Sequence, residues 1–249
     1  MIPDKPLGQK AYGSIGHLPE SRMGPGDHKL PEGQAAIATT APRDRHDTVF
    51  VTEKLDGSCC AVAKINGQLL ALGRAGHLAQ TSPYEQHQFF AAWVRENEPL
   101  FDFMEEGERI VGEWLAQAHG TRYVLWHEPF AVFDLMREHE RATYEELITR
   151  ARGLPRPTLL HRGAPLSVKD AMARLGEKGQ HGAIDPVEGA VWRVERREKF
   201  DFIAKFVRPD NPAWAQYAVF MGNIRIGACF SMPDLGACQW LDADRREKR

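Results

Sequence analysis

The chain has 249 residues, of which 43% are hydrophobic and 27% charged, a composition typical of a folded domain rather than a disordered one. Its formal net charge of -2 excludes a globally basic surface for nucleic acid, so any polyanion site must be local. The length predicts one large domain with a short appendage. The four cysteines form no CxxC pair and no zinc-type Cys/His spacing, so we expect a reduced protein in the cytoplasm.

Residues 1–47 are rich in glycine, proline and polar residues and show little periodicity. They predict an irregular arm packed on the core. Next, "DTVFVTEK" predicts a strand that ends at Lys54. The segments "CCAVAKI" and "QLLALGR" flank Asn66-Gly67, a dipeptide typical of a type I′ hairpin turn. The hairpin would return Arg74 to the end of the sheet where Lys54 lies.

Farther along, aromatic residues at helical spacing predict a helix from Tyr84 to Asn97. We expect helices in "TYEELITRAR" and "SVKDAMARLGE", and strands in "ERIVGEWLA", "RYVLW", "PFAVFDL", "EGAVWRVE" and "FDFIAKFVR". Hairpins and runs of strands interrupted by helices differ from a repeating βαβ order. They favour an α+β fold with antiparallel-rich sheets and flanking helices.

Charged residues recur where a purely structural strand would be apolar, namely at Glu113, Asp134, Glu188 and Lys205. A buried unpaired charge is costly, so such residues need a partner, a ligand or a metal. Lys54 alone admits two interpretations, a solvated strand-end cation or a nucleophile whose pKa is lowered by burial or nearby cations. The later carboxylates and the second lysine favour the nucleophile.

The ordered series EKLDG, GR, VGEW, FAVFDL, EGAVWR and AKFVR resembles the motifs of the covalent nucleotidyltransferases, which are the ATP-dependent polynucleotide ligases and mRNA capping enzymes. It is most similar to RNA ligases of the RNA ligase 2 type. The resemblance implies an adenylation domain with the nucleotidyltransferase, ATP-grasp-like fold over residues 48–209. Residues 1–47 would then be the arm and residues 210–249 a short C-terminal appendage. Since 41 residues follow Arg208, we expect no OB domain.

The resemblance also implies a reaction and a set of roles. Lys54 would attack the α-phosphate of ATP, expel pyrophosphate and carry AMP, with Mg²⁺ or Mn²⁺ as the metal. AMP would pass to the 5′-phosphate of an RNA, and a 3′-hydroxyl would displace it, in RNA repair. The implied contacts are Glu53 at the adenine, Asp56 and Arg74 at the ribose and phosphate, Glu113 at a ribose hydroxyl, Phe133 stacked on the adenine, Glu188 at the metal and Lys205 at the α-phosphate.

One position departs from the family pattern. Ile203 stands where the last motif usually has a first lysine, which leaves Lys205 alone, with Arg208 as a candidate replacement. In the arm, phosphate-binding side chains suggest RNA or phosphate contacts by His17, Arg22 and their neighbours Ser14, Ser21 and Lys29, although a structural wrap explains them equally. Three alternatives remain: a minimal DNA ligase, a capping-type nucleotidyltransferase, or a nucleotide- or RNA-binding module that has lost catalysis.

Overall fold

The computed structural model describes residue 2 and residues 4–209, so the predicted appendage 210–249 lies outside the described residues. In chain order the elements are β1 (Gly16–His17), α1 (Glu32–Thr39), β2 (Asp47–Lys54), β3 (Ser58–Ile65), β4 (Gln68–Gly73), α2 (Glu85–Glu96), β5 (Glu108–Trp114), β6 (Phe130–Arg137), β7 (Glu140–Arg141), α3 (Tyr144–Arg150), β8 (Leu159–Gly163), α4 (Val168–Leu175), β9 (Gly189–Arg196) and β10 (Lys199–Val207). Short 3-10 turns cover Ala79–Thr81 and Glu98–Phe101. None of the described helices is long and apolar enough to cross a membrane.

The strands form two five-stranded sheets. The first sheet has the order β1-β10-β9-β2-β8, and the second has the order β4-β3-β5-β6-β7. Within the described residues, these strands pair antiparallel except for β1 with β10. The predicted α+β class with antiparallel-rich sheets is therefore confirmed. The Asn66-Gly67 turn is confirmed as well, because both residues have the positive φ that a type I′ turn requires, 52° and 73°.

Each sheet has its own apolar core. Trp192 and Val49 are fully buried on the first sheet, where α1 and α4 contribute Ala38 and Ala171. On the second sheet, an aromatic cluster joins the strands to α2, with Phe90 and Phe130 at 4.8 Å between ring centroids. The predicted aromatic stripe of α2 thus serves packing.

The arm departs from the prediction of irregular structure. Residues Glu32–Thr39 form a helix whose buried face consists of Ala35 and Ala38. Alanines at this spacing give a weak hydrophobic pattern, which explains why the helix is not evident from the sequence. β1, also in the arm, extends the first sheet beside β10.

The predicted strand in "RYVLW" is wrong. That segment belongs to neither sheet and makes a single bridge, Tyr123 with Ala183. Its apolar run is only partly buried, since Tyr123 is 7% exposed whereas Val124 and Trp126 are 65% and 76% exposed. In contrast, β8 at the sheet edge was not predicted.

The chain passes from one sheet to the other between β2 and β3. Leu55, Asp56 and Gly57 make this crossing directly after Lys54. A Cβ on Gly57 would lie 2.4 Å from the Trp114 carbonyl oxygen, so only glycine allows the chain to approach β5 this closely. The crossing therefore places Lys54 where the two sheets face each other.

Candidate active site

A cleft of about 1310 Å³ lies at this crossing and is lined by residues of both sheets. The predicted site residues that line it are Glu53, Lys54, Asp56, Arg74, Glu113, Phe133, Glu188 and Lys205, together with Ile203. His17, Arg22 and Arg208 are not among the lining residues. The structure thus brings the predicted nucleotide-contacting residues together, although they span more than half of the chain.

Lys54 lies at the end of β2, with its Cα in register with Gly189 of β9. Its ammonium forms an ion pair with Glu188, the residue that precedes β9. A Cβ on Gly189 would lie 1.9 Å from the Phe206 carbonyl oxygen of β10. Glycine at this position therefore permits the close strand pairing that holds Glu188 next to Lys54.

The charges around Lys54 determine its protonation. Burial lowers its pKa, but the negative charges of Glu188, Glu113 and Asp56 outweigh burial and raise the pKa above its ordinary value. The lowered pKa that the nucleophile interpretation expects is not found, because the surrounding carboxylates favour the protonated form of Lys54. A nucleophilic lysine must lose this proton before it can attack.

Of the neighbouring carboxylates, Asp56 is buried and Glu113 is half-buried, and each accepts a hydrogen bond from a backbone amide. Glu113 Oε1 accepts a hydrogen bond of 3.0 Å from the Gly57 amide, and burial raises the pKa of Glu113 to about 7. Asp56 Oδ2 accepts one of 2.8 Å from the Thr121 amide, and burial raises its pKa. Asp56 thereby ties the loop after β5 to the crossing.

The Glu53 carboxylate packs against the loop before β9. Successive side chains of a strand point to opposite faces, so Glu53 points away from the face that holds Lys54. On its own side, Glu53 Oε2 accepts a 3.2 Å hydrogen bond from the Gln180 amide. An added Cβ on Gly179 would lie 2.0 Å from Glu53 Oε1, so the carboxylate is tightly covered. Burial raises the pKa of Glu53 to about 7.

Phe133 and Arg74 line the cleft from the second sheet. The Phe133 ring meets the Tyr12 ring edge to face at 5.3 Å, and Arg74 Nη2 donates to the Gly13 carbonyl at 3.2 Å. Next to Phe133, the buried Asp134 accepts a 2.8 Å hydrogen bond from Arg193 of β9. Asp134 thus has a structural role as an ionic link between the two sheets.

The arm approaches the cleft at Lys205. Asp27 Oδ1 lies 3.4 Å from Lys205 Nζ, and His17 Nε2 lies 3.1 Å from Asp27 Oδ2. The Arg208 side chain donates to the Gly176 carbonyl instead of reaching the cleft. The sequence provides no signal for Asp27, because residues 27 and 205 become neighbours only through folding.

Further lining residues were not predicted. The loop that follows β5 contributes Gln117 and His119, while the segment that begins α2 contributes Tyr84 and His87. His119 lies within electrostatic range of Lys54 and Glu188, and burial lowers its pKa. Its position five residues after "VGEW" is the only sequence signal that could have indicated it.

A divalent cation fits this site only with help from a ligand. Within the described residues, no group of three or more His, Cys, Asp or Glu side chains could hold a metal ion by itself. However, the pKa of Glu188 is raised by burial and by the charge of Asp56, a sign of concentrated negative charge. One such carboxylate suits Mg²⁺, which retains waters and takes phosphate oxygens as further ligands.

The comparisons with known proteins agree with this geometry. Residues 47–207 match the family model of RNA ligase. The fold is similar to that of the Naegleria gruberi RNA ligase with PPi, at 15% identity and a TM-score of 0.52, over 84% of this chain and 62% of that one. A mutant of the same ligase with ATP and Mn gives 15% identity and a TM-score of 0.51, over 84% and 63% of the two chains.

An archaeal ATP-dependent RNA ligase is 24% identical over 65% of this chain and 42% of that chain, with a TM-score of 0.47. The chain thus spans between 42% and 63% of the length of these three solved ligases. No curated protein sequence gives a significant match.

Proposed function

The chain belongs to the RNA ligase family, and on this premise we propose that it is an ATP-dependent RNA ligase that works through a covalent lysyl-AMP intermediate. Residues 48–209 are its adenylation domain. The substrates are ATP and an RNA with 5′-phosphate and 3′-hydroxyl ends, and the cellular role is RNA repair.

One observation carries the proposal. Lys54 lies in a cleft where Glu113, Glu188 and Lys205, each from a different strand or strand end, surround its ammonium. An isolated strand-end lysine would need at most one partner. This arrangement instead combines a nucleophile with the opposite charges that a phosphoryl transfer needs.

The first chemical step follows from these groups. Deprotonated Lys54 Nζ forms a bond to the α-phosphorus of ATP, while the bond from that phosphorus to the bridging oxygen breaks and pyrophosphate leaves. The Lys54 proton is released to solvent before the attack. Lys205 and Arg74 contribute positive charge to the phosphate oxygens, and Phe133 provides the aromatic face for adenine.

Glu188 is the residue that would hold a divalent cation, Mg²⁺ or Mn²⁺. The bound metal would supply positive charge beside the α-phosphate. With Glu188 engaged by such a cation, Lys54 would lack the anion that most strongly favours its protonated form. Glu188 would thus serve both the lysine and the metal.

Sealing uses the same cleft in two further steps. The RNA 5′-phosphate attacks the AMP phosphorus, which frees Lys54, and the 3′-hydroxyl then attacks the activated RNA phosphate and releases AMP. The cleft of about 1310 Å³ exceeds the roughly 300 to 1,000 Å³ of ordinary small-molecule sites. This supports room for an RNA end beside the nucleotide.

The test is covalent labelling. Incubation with ATP radiolabelled at the α-phosphate and Mg²⁺ or Mn²⁺ should attach acid-labile label to the wild-type chain. Lys54→Ala should remove the label, whereas Lys199→Ala, at the exposed start of β10, should retain it. Equal labelling of Lys54→Ala would reject the proposal.

The same protein then distinguishes the alternatives. A nicked RNA duplex should be sealed in preference to nicked DNA, and the reverse preference would identify a DNA ligase. Labelling by GTP instead of ATP would identify a capping-type enzyme. ATP binding without label would identify a module that has lost catalysis.

A further inference from the structure

Lys205 lacks the first lysine that its motif usually has two residues earlier in the strand. The position two residues earlier is Ile203, an apolar residue that also lines the cleft. Lys205 Nζ is largely buried, with 18% of the side chain exposed. Within residues 4–209, its ion-pair partner is Asp27 of the arm, at 3.4 Å.

Asp27 is itself held from two sides. Its Oδ2 accepts a 2.9 Å hydrogen bond from the Gly24 amide within the same turn. The same oxygen lies 3.1 Å from Nε2 of His17, whose side chain is only 1% exposed. A carboxylate with both a backbone donor and a buried imidazole as neighbours has few alternative orientations.

His17 continues the chain of contacts back to β10. Its Nδ1 lies 2.6 Å from Ser21 Oγ, and Ser21 Oγ accepts a 2.9 Å hydrogen bond from the Val207 amide. The Ser21 hydroxyl also donates to the Arg22 carbonyl at 3.4 Å, so Ser21 joins His17 to the backbone of both the arm and β10. The network thus begins and ends on β10, at Val207 and Lys205.

The backbone fixes the same relationship. β1 pairs with β10 in parallel, with His17 in register with Lys205, and the Leu18 amide donates to the Lys205 carbonyl at 2.9 Å. The arm therefore cannot slide along β10 without breaking strand pairing.

We propose that Asp27, oriented by Gly24, His17 and Ser21, is a positioning residue that holds the Lys205 ammonium at the cleft, where it meets the α-phosphate. This inference rests on the proposed ligase function and adds to it a role for the arm. It also explains how Lys205 can serve without the other lysine of the motif, because Asp27 already fixes the position of its ammonium.

Charge supports the same role. The charged groups that face Lys205 are Lys54, Asp27 and Glu188. Burial and Lys54 lower the pKa of Lys205, whereas the two carboxylates raise it. Asp27 thus opposes the repulsion between two lysines in one cleft. His17 is neutral at pH values above its lowered pKa, and so adds no competing cation.

The experiment measures the first step in the full chain carrying Asp27→Asn. Label attachment from ATP should slow about tenfold at saturating ATP, with little change in KM, because the lost interaction acts mainly in the transition state. Lys205→Ala should slow it at least as much. The double variant should be no slower than Lys205→Ala alone, because Asp27 acts through Lys205.

The matched control is Asp44→Asn, which removes another aspartate of the arm, one that pairs with Arg196 away from the cleft. It should label at the wild-type rate. If Asp27→Asn fails to fold, Ser21→Ala interrupts the network two contacts farther from Lys205 and should slow labelling about threefold.

Three outcomes overturn the inference. A wild-type rate for Asp27→Asn, or additive effects of Asp27→Asn and Lys205→Ala, would do so while leaving the proposed function intact. An unlabelled wild-type chain would overturn both.

Discussion

The Lys54 ammonium forms an ion pair with the Glu188 carboxylate, at the point where β2 and β9 run side by side. Lys54 is protonated, because the charges of Glu188, Glu113 and Asp56 raise its pKa by more than burial lowers it. Positive charge brought to Glu188 would weaken this pair and favour the deprotonated form of Lys54.

This pairing predicts how the first step depends on pH. Because the pKa of Lys54 is raised, only a small fraction of Lys54 is deprotonated near neutrality. The rate of label attachment should therefore rise about tenfold per pH unit from about pH 6 to about pH 8. The measurement is single-turnover labelling at saturating ATP and metal. A rate that is flat or falls over this range would contradict a protonated resting lysine.

Glu53 gives a prediction about stability. Its folded pKa of about 7 lies above the unfolded value of 4.5, so the folded state binds this proton more tightly. The stability it contributes is complete below the unfolded pKa and is lost as the pH rises through the folded one. Between about pH 5 and about pH 8, Glu53→Gln should gain up to about 3 kcal/mol in unfolding free energy relative to the wild type.

Denaturant titrations at several pH values would measure that difference. Glu113, whose pKa is also raised to about 7, is present in both proteins and cancels in the comparison. A difference between Glu53→Gln and the wild type that stays constant with pH would show that Glu53 does not titrate in this way.

Gly189 is expected to tolerate no side chain. An alanine Cβ would lie 1.9 Å from the Phe206 carbonyl oxygen, so β9 and β10 must separate. Gly189→Ala should lower the free energy of unfolding by about 1 to 3 kcal/mol or more, and should slow label attachment because Glu188 moves with β9. The control is Gly153→Ala, whose Cβ has no neighbour within 4 Å. Equal stability of the two variants would refute the steric argument.

The ionic link between the sheets gives the last prediction. Asp134 is fully buried and accepts hydrogen bonds from Tyr12 at 2.9 Å and from Arg193 at 2.8 Å, with Arg141 as a third partner. Asp134→Asn would leave two guanidinium groups facing each other and should destabilise the fold by about 3 to 5 kcal/mol.

Thermal and denaturant unfolding would test this. Glu145→Gln breaks the ion pair with Arg162, in which both side chains are about half exposed, and should cost less than about 1 kcal/mol. The prediction fails if Asp134→Asn is as stable as Glu145→Gln.

Local patterns allowed much of the fold to be predicted. The Asn66-Gly67 turn, the strand that ends at Lys54 and the helix Glu85–Glu96 follow from turn chemistry and apolar periodicity, which act over a few residues. Helix α1 escaped prediction because its buried face is made of alanines. The apolar run of "RYVLW" predicted a strand, but Val124 and Trp126 face solvent and the segment pairs only through the Tyr123–Ala183 bridge.

The sequence by itself determined which residues meet in the cleft, because the ordered motifs that hold Lys54, Glu113, Glu188 and Lys205 mark strand ends and strands of two facing sheets. Only the tertiary structure decided the protonation of Lys54 and the contact that positions Lys205. The raised pKa of Lys54 depends on three carboxylates converging through space. Asp27 and Lys205 are 178 residues apart, and no local pattern encodes a contact between them. Electrostatic and packing interactions of this kind depend on distance in space, which the order of residues does not specify.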